Sequence, residues 1–279
     1  MNQKNIRNSL SKSYNRFLKR GMSGITASSR VLPDFIIFGT VRSGTTSLYY
    51  NICEHPSVVP AAYDEIGFFD SNYHLGLNWY RSMFPTEKKM KEIKEQTGKA
   101  ITGEDTPFYF WKKETIDRIF QVLPKVKLIG IFRNPIDRAY SNYNLGIRAN
   151  TEKLSFEDAI DEEMKFLSKH SFRETIDRRR SYLTKGIYDE QIRPWFEVFT
   201  KEQVHILSTD NMEKDPKNVL QKIFRFLELP DYDIQNPQRK KKAEYEKMSP
   251  EIRKKLLEFY RPHNEKFFHT IGKKFEWDF

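Results

Sequence analysis

Gly39-Thr40-Val41-Arg42-Ser43-Gly44-Thr45-Thr46 follows the apolar run Phe35-Ile36-Ile37-Phe38 and leads into Ser47-Leu48-Tyr49-Tyr50-Asn51-Ile52. The order is strand, glycine-bounded turn, helix. Such a turn aims backbone N–H groups and a helix N-terminus at one point, where a phosphate is stabilised. The spacing is that of a P-loop, with glycines at 39 and 44 and then two more residues. The P-loop lysine is absent: Thr45 stands where G-x-x-x-x-G-K-[ST] calls for Lys, and the cation lies inside the loop as Arg42. A loop that cradles phosphate without reaching for a γ-phosphate points to a nucleotide donor other than ATP or GTP.

Outward from this loop, strand and helix patterns alternate. Strands are expected at 35–39, 58–59, 100–103, 126–132 and 203–208. Helices are expected at about 45–54, 77–84, 87–99, 112–122, 155–168, 171–184, 216–228 and 250–270, with another carrying Ser141. Ser249-Pro250-Glu251 marks the start of the last helix, Ser as N-cap and Pro at the first helical position. The alternation predicts an α/β fold with a mainly parallel central sheet flanked by helices. No internal repeat or Gly/Ser-rich linker divides residues 34–279, which read as one domain.

The 279 residues hold 48 Lys and Arg against 38 Asp and Glu, a formal net charge of +10. That balance favours anionic partners such as nucleotides, acidic glycans or an acidic membrane surface, and it is equally the balance of a solvated basic surface. Residues 1–33 carry seven Lys or Arg and no acid. Ile6, Leu10, Tyr14, Phe17 and Leu18 fall near helical spacing, so this arm reads as disordered or as a basic amphipathic helix making peripheral membrane contact. Cys53 is the only cysteine, which excludes an intramolecular disulfide and a cysteine-based metal site and fits a reducing compartment. No run of 18 apolar residues is present and the N-terminus lacks the apolar centre of a secretory signal, so a cytoplasmic location is expected.

A second motif is Lys127-Leu128-Ile129-Gly130-Ile131-Phe132-Arg133-Asn134-Pro135-Ile136-Asp137-Arg138-Ala139-Tyr140-Ser141. With the loop at 39–46 it resembles the two nucleotide-binding elements of the sulfotransferases, enzymes that use 3′-phosphoadenosine 5′-phosphosulfate (PAPS). The resemblance implies a P-loop-type three-layer fold and a 5′-phosphosulfate cradle comprising Arg42, Ser43, Gly44, Thr45, Thr46 and Ser47. It implies that Arg133, closing a buried strand, and Ser141, eight residues later on the next helix, grip the 3′-phosphate. The family usually has Lys where Arg42 stands. Arg keeps the charge but gives up no proton, so its implied role at the bridging oxygen is electrostatic.

Tyr63-Asp64-Glu65-Ile66-Gly67-Phe68-Phe69-Asp70 resembles the segment of heparan sulfate sulfotransferases whose Glu is the general base. Glu65 is therefore the implied base, with Asp64 in place of the usual Lys and Gly67 in place of a common His. Phe68 and Phe69 are expected to desolvate the carboxylate and raise its pKa. Gly103-Glu104-Asp105-Thr106-Pro107 matches a further segment, with Asp105 where glycan-acting members often carry Lys. Glu104 is a secondary candidate, orienting the acceptor or pairing with Arg42, and His55 is a second candidate base or a helix cap. Leu257-Glu258-Phe259-Tyr260-Arg261-Pro262-His263 resembles the closing helix of the heparan-type group. By that likeness Arg239, Lys240, Lys241, Lys242 and Lys247 would close over the phosphates.

The expected function is transfer of a sulfuryl group from PAPS to a hydroxyl or amine, on an acceptor of glycan type, without a metal. Two rivals are a P-loop kinase or NTPase, against which stand the missing lysine and the lack of an evident strand ending in a Walker B Asp, and a non-catalytic polyanion-binding protein. No nucleic-acid-recognition motif is visible.

Overall fold

The strands form where short apolar runs sit between turn signals: β1 (Phe35–Gly39), β2 (Val58–Pro60), β3 (Ile101–Asp105), β4 (Lys127–Phe132) and β5 (Val204–Ser208). The computed structural model describes residues 26–172, 181–237 and 245–277. The strands make one sheet in the order β2-β3-β1-β4-β5, every neighbouring pair parallel. Parallel strands need crossovers, and these supply helices to both faces. They include α1 (Thr45–Cys53), α2 (Gly76–Arg81), α3 (Glu87–Thr97), α4 (Lys113–Val122), α5 (Pro135–Arg148), α6 (Phe156–Leu167), α7 (Tyr188–Val198), α8 (Thr209–Lys214), α9 (Pro216–Phe226) and α10 (Pro250–Ile271).

The alternation of strand side chains divides the core between the two faces. Phe35, Ile37, Ile129 and Ile131 meet Leu48 and Ile52 of α1 and Leu220, Ile223 and Phe224 of α9. Ile36, Phe38, Leu128 and Phe132 meet Ile116 and Ile119 of α4, Ile192 and Trp195 of α7, and Phe267 and Phe268 of α10. A third cluster beyond the sheet joins Ile136 and Ala139 of α5, Phe156 and Ile160 of α6, and Leu256 and Tyr260 of α10. The long α10 therefore belongs to two clusters, one near each of its ends. The expected α/β architecture with a parallel, two-sided sheet is the one observed.

Most elements fall within a residue or two of their expected bounds. The charged helix α3 has no buried residue, as its composition requires, and Thr86 caps it by accepting from Lys89 N–H. Two expectations fail. β3 continues two residues past 103 and ends in Asp105. In the segment 171–184, residues 173–180 lie outside the described residues, and the rest forms no α-helix. Residues 181–189 are buried in unbroken succession, which a helix with one solvent face does not do, and only a 3-10 turn, Thr184–Gly186, appears there. Of the basic arm, residues 1–25 lie outside the described residues. Arg30 is joined to the body by a backbone bridge to Thr86 and a side-chain bond to the Phe84 carbonyl at 2.5 Å. Among the described residues no helix is long and apolar enough to cross a membrane.

Gly103 pairs with Phe35 across the sheet, and the ring lies where a side chain would start: a Cβ on Gly103 would sit 2.4 Å from it. Both residues are buried, so neither has room to give way. Gly103→Ala should destabilise the fold by about 1–3 kcal/mol, the usual cost of overpacking a core. Urea unfolding measures this, and an unchanged midpoint would show that the sheet yields there.

Candidate active site

Three loops meet at the C-terminal edge of β1, β3 and β4. Strand order changes direction between β1 and β4, since β2 and β3 lie to one side of β1 and β4 and β5 to the other, and ligands of open α/β sheets bind at such a point. The loop after β1 turns on Gly44, whose φ of +91° is the left-handed conformation that glycine adopts without strain. Gly44 is the N-cap of α1 and offers no side-chain cap to its first N–H groups. By contrast α5, α6, α8, α9 and α10 are each capped by an Asn, Ser or Asp side chain. The first turn of α1, Thr45-Thr46-Ser47, is left as a cradle for an anion. Ser43 is buried, with its carbonyl bonded by Thr209 Oγ1 at 2.8 Å, so the loop is tied to the end of β5.

Arg42 also has positive φ, +70°, unusual for a residue with a Cβ. Among the described residues its guanidinium pairs with no carboxylate. Nε and Nη2 donate to Ser141 Oγ at 3.2 and 3.1 Å. Ser141 is buried on α5, and Arg133 Nη1 reaches the Arg42 carbonyl at 3.4 Å. The structure thus brings together the two sequence motifs, Arg42 with Arg133 and Ser141. Burial lowers the Arg42 pKa, and the charges of Arg148, Arg133 and Arg138 lower it further. Guanidinium groups crowded in this way are stabilised by an anion. Arg148 and Arg138 are additions to the residues singled out by sequence. They share α5 with Ser141, and Arg148 lies two helical turns beyond it, a spacing that the sequence does carry.

Lys247 is exposed. Its segment is anchored beside α5, where Tyr140 donates to the Glu246 carbonyl at 2.9 Å and packs edge-on against Tyr245. Tyr245 lies within electrostatic reach of Arg42 and was not foreseen. Arg239, Lys240, Lys241 and Lys242 lie outside the described residues.

Glu65 stands on the loop beside the end of β3, its N–H bonded to the Asp105 carbonyl at 3.0 Å and its φ at +49°. Its side chain is exposed. The expected desolvation by Phe68 and Phe69 is not found: both rings point into the core, Phe68 stacked on Tyr80 at 4.4 Å and Phe69 edge-on to Tyr80 and Tyr109. Consecutive aromatic residues leaving a loop anchor it rather than cover its carboxylate. Gly67 is explained by backbone, since it adopts φ +63°.

Glu104 neither pairs with Arg42 nor reaches an acceptor. It is fully buried, accepting from Tyr80 Oη at 2.5 Å, Thr106 Oγ1 at 2.7 Å and Tyr109 Oη at 3.2 Å. Burial pushes its pKa up to about 7, against the hydroxyl bonds that hold it down. Asp105 points away from this network toward α1, is buried, and has no hydrogen-bond partner for either carboxylate oxygen among the described residues. Burial raises its pKa to about 8, and the charges of Asp64, Glu104 and Glu65 add to the rise. The strand next to β1 does end in an Asp, contrary to expectation. His55 lies just past the far end of α1 and braces the turn there: Nδ1 accepts from Ser57 N–H at 3.1 Å, and Nε2 lies 3.0 Å from the Pro230 carbonyl. It is not at the loop and is not a base for it.

The profile of the sulfotransferase domain family matches residues 32–277. The chain is 32% identical to heparan sulfate glucosamine 3-O-sulfotransferase 3B1 of Mus musculus, over 90% of this chain and 66% of that protein. It is 24% identical to the membrane-associated sulfotransferase kil1 of Dictyostelium discoideum, over 88% of this chain and 66% of that protein. The chain therefore spans slightly under two thirds of the length of these relatives. A sulfotransferase crystal structure from Alicyclobacillus acidocaldarius superposes with a TM-score of 0.67 at 25% identity, covering 88% of this chain and 98% of that one.

The unpartnered Asp105 gives a test of the geometry beneath the loop. Its folded pKa lies above the unfolded value of 3.8, so the folded state binds the proton more tightly. The stability it contributes is full below that value and is lost as pH rises through about 8. Asp105→Asn removes this titration. Its unfolding midpoint at pH 8 should exceed the parent's by at least about 2–4 °C, the shift for ~1 kcal/mol in a domain near this size. Parallel midpoint-against-pH curves for the two proteins would show that Asp105 ionises freely in the fold.

Proposed function

Since the chain belongs to the sulfotransferase domain family, we propose that it transfers a sulfuryl group from PAPS to a hydroxyl or amine of an acceptor of carbohydrate type. The observation that carries this reading is the contact of Arg42 with Ser141, which joins the uncapped α1 turn and the Arg133–Ser141 pair into one anion-binding site. A nucleotide with phosphates at both 3′ and 5′ positions fits such a site better than one with a 5′ group alone. The first turn of α1 and Arg42 would take the 5′-phosphosulfate, and Arg133 with Ser141 the 3′-phosphate. A guanidinium bonded to a neutral hydroxyl gains more from a phosphate oxygen, so donor binding would replace Ser141 as the acceptor for Arg42.

In the reaction the acceptor oxygen or nitrogen attacks sulfur while the bond from sulfur to the bridging phosphate oxygen breaks. The electron pair stays on that oxygen, and Arg42 stabilises the charge gathering there. The acceptor's proton passes to the Glu65 carboxylate, exposed at the mouth of the site. Arginines supply the positive charge that Mg2+ supplies in phosphoryl transfer, and no metal enters the scheme. The carbohydrate acceptor is supported by the likeness to the glycan-acting relative; Asp64, exposed where the resemblance implies Lys, makes this mouth more acidic than that likeness alone. A single cysteine supports a reducing, cytoplasmic setting.

Adenosine 3′,5′-bisphosphate should bind far more tightly than AMP. Charge-assisted bonds to the second phosphate contribute about 1.5–3 kcal/mol each, so at least roughly tenfold is expected by calorimetry. Equal affinities would leave the basic surface as a non-catalytic polyanion-binding face.

Arg42→Ala should reduce turnover of radiolabelled PAPS by about 100- to 1000-fold, the usual loss for a group acting on charge that develops in the transition state. Arg42→Lys should retain activity, and an unchanged turnover in the Ala variant would remove Arg42 from the chemistry.

Glu65→Gln should slow transfer by about 100- to 10,000-fold, since a neutral amide of the same shape accepts no proton, and should leave nucleotide affinity intact. Near-parental turnover in this variant would place the base elsewhere.

A further inference from the structure

We propose that Glu104 is a positioning residue for the loop that carries Glu65: it fixes the proton directions of two hydroxyl groups so that their lone pairs hold the loop's backbone. The proposal rests on the reading of Glu65 as the base. The loop is hung from the end of β3 at alternate residues. Glu65 N–H donates to the Asp105 carbonyl at 3.0 Å, Gly67 N–H to Thr106 Oγ1 at 3.2 Å, and Phe69 N–H to Tyr109 Oη at 3.3 Å. Behind the last two bonds stands one group, because Thr106 Oγ1 and Tyr109 Oη both donate to Glu104. Each hydroxyl has a single proton. An ionised carboxylate only accepts, so it claims that proton from both and leaves their lone pairs facing the amides of Gly67 and Phe69. The loop needs such support, since Glu65 has a positive φ, +49°, which a residue with a Cβ adopts only under constraint.

Glutamine at 104 keeps the shape and changes the proton count. Its single carbonyl oxygen and its NH2 group face three hydroxyls, those of Tyr80, Thr106 and Tyr109, that now donate to a carboxylate. At least one must turn to accept from the NH2; where that is Thr106 or Tyr109, its own proton then competes for the place of a loop N–H. The carboxylate of Glu65 would lose its fixed position, and a displacement near 1 Å costs on the order of 100-fold in rate.

The test uses the full chain at pH 8, above the value of about 7 at which Glu104 titrates. Amide hydrogen exchange is read at Gly67 and Phe69, and sulfuryl release from PAPS is read with heparan sulfate or water as acceptor. Glu104→Gln should speed exchange at one or both amides by about tenfold or more and leave the affinity for adenosine 3′,5′-bisphosphate within about twofold. Thr106→Val should expose Gly67 alone and Tyr109→Phe should expose Phe69 alone, which keeps the test valid if the Glu104 variant folds poorly. Glu104→Gln should slow turnover by about tenfold or more in the parent and by less than about twofold in the Glu65→Gln background, because a misplaced base matters only while there is a base. Unchanged exchange overturns the proposal whatever Glu65 does. A full, additive loss in the Glu65→Gln background reduces Glu104 to a structural part and also overturns it. Normal turnover in Glu65→Gln alone rejects the base assignment, and the positioning role falls with it.

Discussion

Four guanidinium groups, from Arg42, Arg133, Arg138 and Arg148, crowd the end of β1 and β4, where the first turn of α1 already directs partial positive charge. Like charges so placed oppose folding unless the scaffold holds them firmly, and the surrounding structure does so. Arg138 is buried and donates to the Tyr182 carbonyl. Tyr188 donates to the Arg133 carbonyl at 2.9 Å from a position packed against Phe132 and Phe267. Asn134 caps α5 by accepting from Ile136 N–H, so β4, with Arg133 just past its end, passes directly into the helix bearing Ser141. The two-sided sheet and the long α10 behind it can be seen as the rigid support for this one concentration of charge.

Below the same edge a different arrangement holds, in which carboxyl groups are removed from water. Glu104 and Asp105 are neighbours on β3 and face opposite sides of the sheet, as strand geometry requires. One is satisfied by three hydroxyls; the other has no hydrogen-bond partner among the described residues. In the proposed reaction the arginine-rich edge would hold the donor and the exposed pair Asp64-Glu65 would flank the acceptor, with the reacting centre between them.

Much of this was legible in the chain. The strand–loop–helix at 35–52 and the Arg133–Ser141 spacing depend on local order, and so does the cap at Ser249. What was not legible depends on distant pairing or on direction. Arg42 meets Ser141 across 99 positions of sequence. The pair Phe68-Phe69 announces a buried anchor equally as well as a shielded carboxylate, and only the position of Tyr80 decides between them. Glu104 reads as a site residue by its place after a strand, yet the partners that take it out of the cleft, Tyr80 and Tyr109, lie on other elements. Positive φ at Arg42 and Glu65 has no signature in composition, because neither residue type favours it.

In the proposed sulfuryl transfer, the cluster of arginines also bears on the end of the cycle. When the sulfuryl group departs, the 5′-phosphate left behind takes up a second negative charge at neutral pH, as phosphate monoesters do. The site's fixed positive charge therefore holds the spent nucleotide at least as firmly as the fresh donor, and nothing in the transfer step weakens that grip. In the proposed reaction, product departure rather than bond making would then be the slow event, and the first round would run ahead of those that follow.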